Sequence, residues 1–308
     1  MNSTLSPLEA SFTISDYYIA CSLSSVISLI GVFVSISVSI LVYRTKPRLH
    51  TVRHLLICNT CVASILYCIV QTINYIFLIF LRTETSDVGC RWRGYFAYLT
   101  IAAVTYSYLI QAISRFFISV LSSQYRWLTT FKTHYILIFL QWLTIVIIPL
   151  PSILTNDIYY RPTSLCWVPL KRFIHVIYSY SAYYIVPTSS VCIVYIFIFY
   201  RVKKFSHRPC AFARPTNKEK RDLELLRNIT ALLFIYLLGG IPSILFAITA
   251  SKPIYLLSLV TMSLSVAIEK VSMIMLDRDI RQAIMKLLLS TKPALQVKPI
   301  KRHTCNQL

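Results

Sequence analysis

The sequence predicts an all-α membrane protein: a bundle of seven transmembrane helices followed by a short amphipathic helix on the cytoplasmic surface. Three observations carry this. The 308 residues are 56% hydrophobic and only 14% charged, where a soluble domain carries roughly 25%, and the mean hydropathy is +0.64. Seven runs are long, apolar and almost free of charge. The basic residues also fall unevenly on the segments between those runs.

The runs span residues 17–43, 55–81, 94–114, 133–156, 173–200, 228–251 and 253–276. Each is long enough to cross a hydrocarbon core of about 30 Å as a helix. A bilayer admits only helices or closed barrels, and the alternation of barrel strands is absent. The last run is interrupted by Glu269 and Lys270. Connections 44–53, 115–132, 201–227 and 278–308 hold 23 Lys and Arg, against 7 in 1–16, 82–93, 157–172 and 251–253. The basic side is cytoplasmic by the positive-inside rule. The expected product is a multi-pass plasma-membrane protein with its N-terminus outside and its C-terminus inside. The same bias accounts for the net charge of +20 as attraction to the lipid bilayer, and argues against nucleic acid as a partner.

The expected organisation is an extracellular tail (1–16), a seven-helix domain (17–276), a surface helix (277–290) and a cytoplasmic tail (291–308). Asn2-Ser3-Thr4 is an N-glycosylation sequon in the outer tail. Asn228-Ile229-Thr230 also fits the pattern but falls on the inner side. Leu223, Leu225 and Leu226 predict that the sixth helix extends into the cytoplasm. In the surface helix Ile280, Ala283 and Ile284 share one stripe, as in helices that lie on a membrane. No internal repeat is visible, and no inverted pair of broken spans of the transporter kind.

The chain is organised around the stretch from Cys90 to Arg115. As a helix, its 25 steps of about 1.5 Å span roughly 37 Å, enough to put the cysteine at one membrane face and the arginine at the other. Most of the nine cysteines lie in apolar runs and act as small hydrophobes; Cys90 and Cys166 lie in polar segments. No zinc spacing appears. His134 and His175, near span ends, are expected to have no clustered Asp, Glu or Cys for metal or acid–base work. No cofactor and no enzymatic activity are therefore expected.

These features resemble the rhodopsin-like (class A) G protein-coupled receptors over roughly residues 17–289. The resemblance implies a disulfide between Cys90 and Cys166. Arg115 falls on the arginine of the family's third-helix triplet, here Ser114-Arg115-Phe116. Trp142 falls on the fourth-helix tryptophan, with Pro149 and Pro151 beyond it. Pro187 and Tyr195 keep the fifth-helix spacing, Pro242 falls on the sixth-helix kink, and Asn59 and Ala63 on second-helix positions. Asp222 lies 20 residues before Pro242, where many members place an acid facing the arginine. Several positions depart from the pattern: the second-helix acid is Ser64, the sixth-helix tryptophan is Gly240 (after Gly239), and the seventh-helix motif reads Glu269 to Met273.

From these matches follow the expected roles. Arg115 and Asp222 form a switch that holds the third and sixth helices together at rest, with Tyr195 and Pro242 serving its release. Ser64 and Glu269 form one intramembrane polar site in which the acid has changed sides, while Lys270 points about 100° away and reaches for the interface. Ala97 stands where amine receptors carry an acid, so an amine finds no counter-ion. A pocket around Ala97, Tyr98, Tyr178 and Tyr183 would then take a neuropeptide or another non-amine ligand. The expected partners are an extracellular peptide or small molecule, a heterotrimeric G protein and the bilayer. The competing functions are a non-coupling seven-helix binding protein and a membrane transporter.

Overall fold

The computed structural model describes residues 14–45, 51–80, 86–122, 124–161, 165–206 and 217–290. Among these residues every regular element is helical. Helix α1 is Ile14–Arg44, α2 Val52–Phe80 and α3 Asp87–Phe116, which runs on through a π-helical turn to Leu121. Helix α4 is Phe131–Ile147, resumed at Leu150–Leu154. Helix α5 is a single rod of Phe173–Tyr180, a π-helical turn and Val186–Ser206. Helices α6 (Asn217–Thr249), α7 (Lys252–Leu276) and α8 (Arg278–Ser290) complete the chain. Seven of the helices are long and apolar enough to cross a membrane, in the order the sequence predicts.

The helix ends have local causes. Ser86 caps α3 by accepting a hydrogen bond from the Gly89 amide at 3.1 Å, and Asp87 in the first turn complements the helix dipole. Cys90 therefore sits one turn inside α3 rather than at its start. Thr249 ends α6, and Ala250 takes a left-handed φ of 50° to turn the chain into α7, where Pro253 occupies the first turn and needs no amide partner. Asp277 separates α7 from α8. Its Oδ1 accepts from the amides of Asp279 and Ile280 at 3.0 and 3.1 Å.

Helix α3 lies at the centre. About two-thirds of its most apolar stretch is buried, against about a fifth for α1 and α4. Small residues allow this: Ala97, Ala102, Ala103 and Ala112 are fully enclosed, and small side chains let membrane helices approach closely. The outer faces carry large apolar side chains, Phe33, Ile174 and Ile248 among them, each more than 70% exposed, as a lipid-facing surface requires. Gly239 marks the closest approach of α6 to α7: a Cβ there would lie 2.2 Å from Ser265 Oγ and 2.8 Å from the Thr261 carbonyl. The pair Gly239-Gly240 thus serves packing at its first member. Beside the second lies the Tyr184 ring, 3.4 Å from where a Cβ would stand.

Candidate functional site

Two sites sit at opposite ends of α3. At the first end, Cys90 and Cys166 are joined by a disulfide, which draws the segment between α4 and α5 across the bundle. Further contacts fix this segment. The Val168 amide donates to the Tyr98 hydroxyl at 3.0 Å and the Leu165 amide to the Tyr255 hydroxyl at 3.2 Å. The Tyr160 amide donates to Asp87 Oδ1 at 2.9 Å. Gly94 is required beneath it, since a Cβ there would stand 2.2 Å from the Cys166 carbonyl oxygen. At the base of the segment, Asp157 accepts from Arg172 Nε at 3.1 Å and pairs with His175. The histidine therefore does have a carboxylate beside it, contrary to expectation, because the loop returns Asp157 to the start of α5.

Under this segment lies a cavity of about 330 Å³. Seven tyrosines reach it. Tyr98 and Tyr183 stack at 5.3 Å between ring centres, and Tyr17 meets Tyr255 edge-on. The Tyr180 hydroxyl donates to the Ser243 carbonyl at 2.8 Å, while Tyr184 and Tyr159 complete the set. Arg161 and Lys171 are its cations, and no carboxylate lines it among the described residues. Of the residues expected here, Tyr98 and Tyr183 line the cavity. Ala97 is fully buried but outside the lining. Tyr178 also lies outside it: its hydroxyl donates to the Ile148 carbonyl at 2.8 Å, because its place on α5 faces α4. Arg161 and Lys171, cations of the outer ends, line it as well; Trp167 is brought in by the loop's path and Tyr255 by the first turn of α7.

At the other end, Arg115 is buried. It lines a small cavity of about 30 Å³ with Gln111, Thr60, Tyr108, Glu269 and Asp277, among others. Tyr195 is buried within electrostatic reach of Arg115. Ser114 engages α4: its hydroxyl lies 2.8 Å from His134 Nε2. His134 Nδ1 lies 2.8 Å from the Thr130 carbonyl, which can only accept, so Nδ1 carries the proton and Nε2 accepts from Ser114. The Asp222 side chain lies outside the described residues, as do Asn2 and the two tails, 1–13 and 291–308. Pro242 lies inside α6. Asn59 and Trp142 meet, as the indole donates to Asn59 Oδ1 at 3.0 Å and Asn59 Nδ2 donates to Gln141 at 2.7 Å. Asn228 donates to the Leu276 carbonyl at 3.1 Å, tying α6 to α7.

Glu269 and Lys270 correct the reading of α7. Both side chains have no exposure, and Lys270 Nζ lies 3.1 and 2.9 Å from the two Glu269 oxygens. The lysine does not reach for an interface. Enclosed by the bundle, its long stem bends round the helix and closes the 100° between adjacent residues. The Ser64 hydroxyl, buried one helix away, makes no hydrogen bond, so no bond joins it to Glu269. One group of described residues gathers metal-ligand types: His54, Asp277 and Asp279, with ligand atoms within 4.8 Å of one another. Arg53 already bonds both carboxylates there, at 2.6 and 3.3 Å, and supplies the positive charge.

An apolar seven-helix bundle with a cross-linked, roofed cavity at one end and a buried arginine at the other has the build of a multi-pass membrane receptor. Residues 34–269 match the family model described as "7 transmembrane receptor (rhodopsin family)", and the chain belongs to that family of G protein-coupled receptors. Members of the family are receptors rather than enzymes. No curated protein matches the chain.

Proposed function

We propose that the protein is a plasma-membrane receptor, with its N-terminus outside and its C-terminus in the cytoplasm. It responds to a peptide or other non-amine ligand and signals through heterotrimeric G proteins. The observation that carries this reading is the placement of two sites on one helix. The cavity under the disulfide-held loop is suited to a ligand, and Arg115 at the far end of α3 is suited to a switch. The uneven distribution of Lys and Arg supports the orientation. Ligand binding would act by shifting populations between two packings of the inner helix ends. Asp222 is proposed as the acid that restrains Arg115 from α6, and Tyr195, already buried near the arginine, as its support after release.

The test is nucleotide exchange on a panel of chimeric G protein subunits by the full chain in nanodiscs. Wild type is expected to drive exchange on at least one subunit, Arg115→Ala to abolish it, and Asp222→Ala to raise the ligand-free rate several-fold. Ser114, turned to His134 rather than to Arg115, favours a second reading, a receptor-shaped protein that binds without coupling. No exchange on any subunit, with or without ligand, would establish that reading and refute ours.

A further inference from the structure

We infer that the roofed cavity binds a small organic anion, a carboxylate on an aromatic or aliphatic body, with Arg161 as its counter-ion. This deepens the receptor reading and rests on it only for what the binding does, not for the binding itself.

The lining is one-sided in charge, with Arg161 and Lys171 facing no acid among the described residues. A cationic ligand would leave water for a wall that offers it only like charge, which disfavours its charged form. The lining is also one-sided in hydrogen bonding. Arg161 Nε and Trp167 Nε1 are buried donors with no acceptor. Arg161 Nη2 donates to the Trp167 carbonyl at 3.2 Å, which holds the two residues side by side. A buried donor without an acceptor destabilises the fold; a carboxylate offers the guanidinium an acceptor and an opposite charge, the strong case of such bonds. Lys171, exposed at the rim, adds attraction during entry.

The body of the ligand follows from the remaining walls. Tyr98 and Tyr183 present a stacked pair, and Tyr255, Phe246 and Ile101 add apolar surface. Three of the seven tyrosine hydroxyls are turned to backbone: those of Tyr98 and Tyr255 hold the loop and that of Tyr180 holds α6. In these three the ring, more than the hydroxyl, is left for the ligand. A volume of about 330 Å³ lies at the lower end of the range that holds small molecules, roughly 300–1,000 Å³, so a folded peptide does not fit beneath the loop.

Thermal unfolding of the full chain in nanodiscs tests this without any G protein. The probes are 3-phenylpropanoate and indole-3-acetate, their primary amides, and the amines 3-phenylpropylamine and tryptamine. Saturable stabilisation is expected from the carboxylates and not from the amides or amines, since a ligand that binds only the folded state raises its stability by mass action. Arg161→Gln is expected to weaken carboxylate binding roughly tenfold or more, Arg161→Lys less, and Lys171→Gln to slow association more than it changes affinity. The inference is overturned if no carboxylate stabilises the chain at millimolar concentration. It is equally overturned if amides or amines stabilise as well as acids, or if Arg161→Gln and Lys171→Gln both bind unchanged. Carboxylate binding without exchange on any subunit would refute the coupling and leave this site standing; exchange without carboxylate binding would do the reverse.

Discussion

Removing the Lys270 ammonium while keeping Glu269 should be among the most damaging single changes available in the bundle. Both side chains are fully enclosed, and the ammonium lies within 3.1 Å of both carboxylate oxygens. Lys270→Met keeps most of the stem volume and strands a carboxylate in the membrane interior. Breaking a buried pair in this way costs about 3–5 kcal/mol, whereas replacing both partners by neutral groups of similar size is close to neutral. For chains of this length 1 kcal/mol moves the midpoint by roughly 2 °C, so the single variant should unfold about 6–10 °C below wild type. Glu269→Gln combined with Lys270→Met should recover most of that loss. Cys21, Cys61 and Cys68 are buried free thiols, so a thiol-reactive fluorogenic dye reports unfolding directly. If the double variant is as unstable as Lys270→Met alone, the coupling is absent and the two residues do not form the pair described.

Three further outcomes follow from close contacts. Gly94→Ala drives a methyl group to 2.2 Å from the Cys166 carbonyl; because backbone must move, we expect a loss of about 3 kcal/mol or more, and mass spectrometry after alkylation should find free Cys90 and Cys166. Gly239→Ala meets Ser265 at 2.2 Å and the Thr261 carbonyl at 2.8 Å, so α6 must separate from α7; a melting point unchanged from wild type would count against that packing. Tyr98→Phe removes the acceptor for the Val168 amide at a cost of about 1 kcal/mol, and faster hydrogen exchange at residues 165–168 should report it while the rest of the bundle stays protected.

The sequence reveals the spans because each needs only a long uncharged run, and such runs are local. It also reveals the ends of α3, since the Cys90 to Arg115 spacing is itself a length along a helix. Contacts made by the loop were not legible. Nothing local says that Leu165 and Val168 will meet hydroxyls of Tyr255 and Tyr98, or that Asp157 will return to His175. One local signal exists: Gly94 lies four residues after Cys90 in a chain with only 5 glycines, and a glycine one turn from a cross-link marks a close approach of backbone. Tyr178 is not legible as an interface residue because tyrosine suits a pocket and a helix interface equally, and composition cannot choose between them. The Lys270 pairing is not legible because helical geometry places Cβ atoms, whereas a lysine terminus lies four bonds further out.

The Arg115 end differs from the cavity end in how its charges balance. Arg53 and Arg115 line the small cavity from α2 and α3, and Glu269 and Asp277 line it from α7 and the turn that follows. Two cations thus face two acids before Asp222 is considered. Asp277 is committed to Arg53 at 2.6 Å and to the first amides of α8, and Glu269 to Lys270. Arg115 therefore shares a cavity with acids that also hold other partners. Such an arrangement is sensitive to small shifts, because charges interact strongly where water is scarce. A movement of α7 changes the surroundings of Arg115 as surely as a movement of α6 would. With Ser114 beside it in sequence, the arginine still shares its cavity with two carboxylates, Glu269 and Asp277. Both come from the α7 side of the bundle, where Lys270 offsets the charge of Glu269.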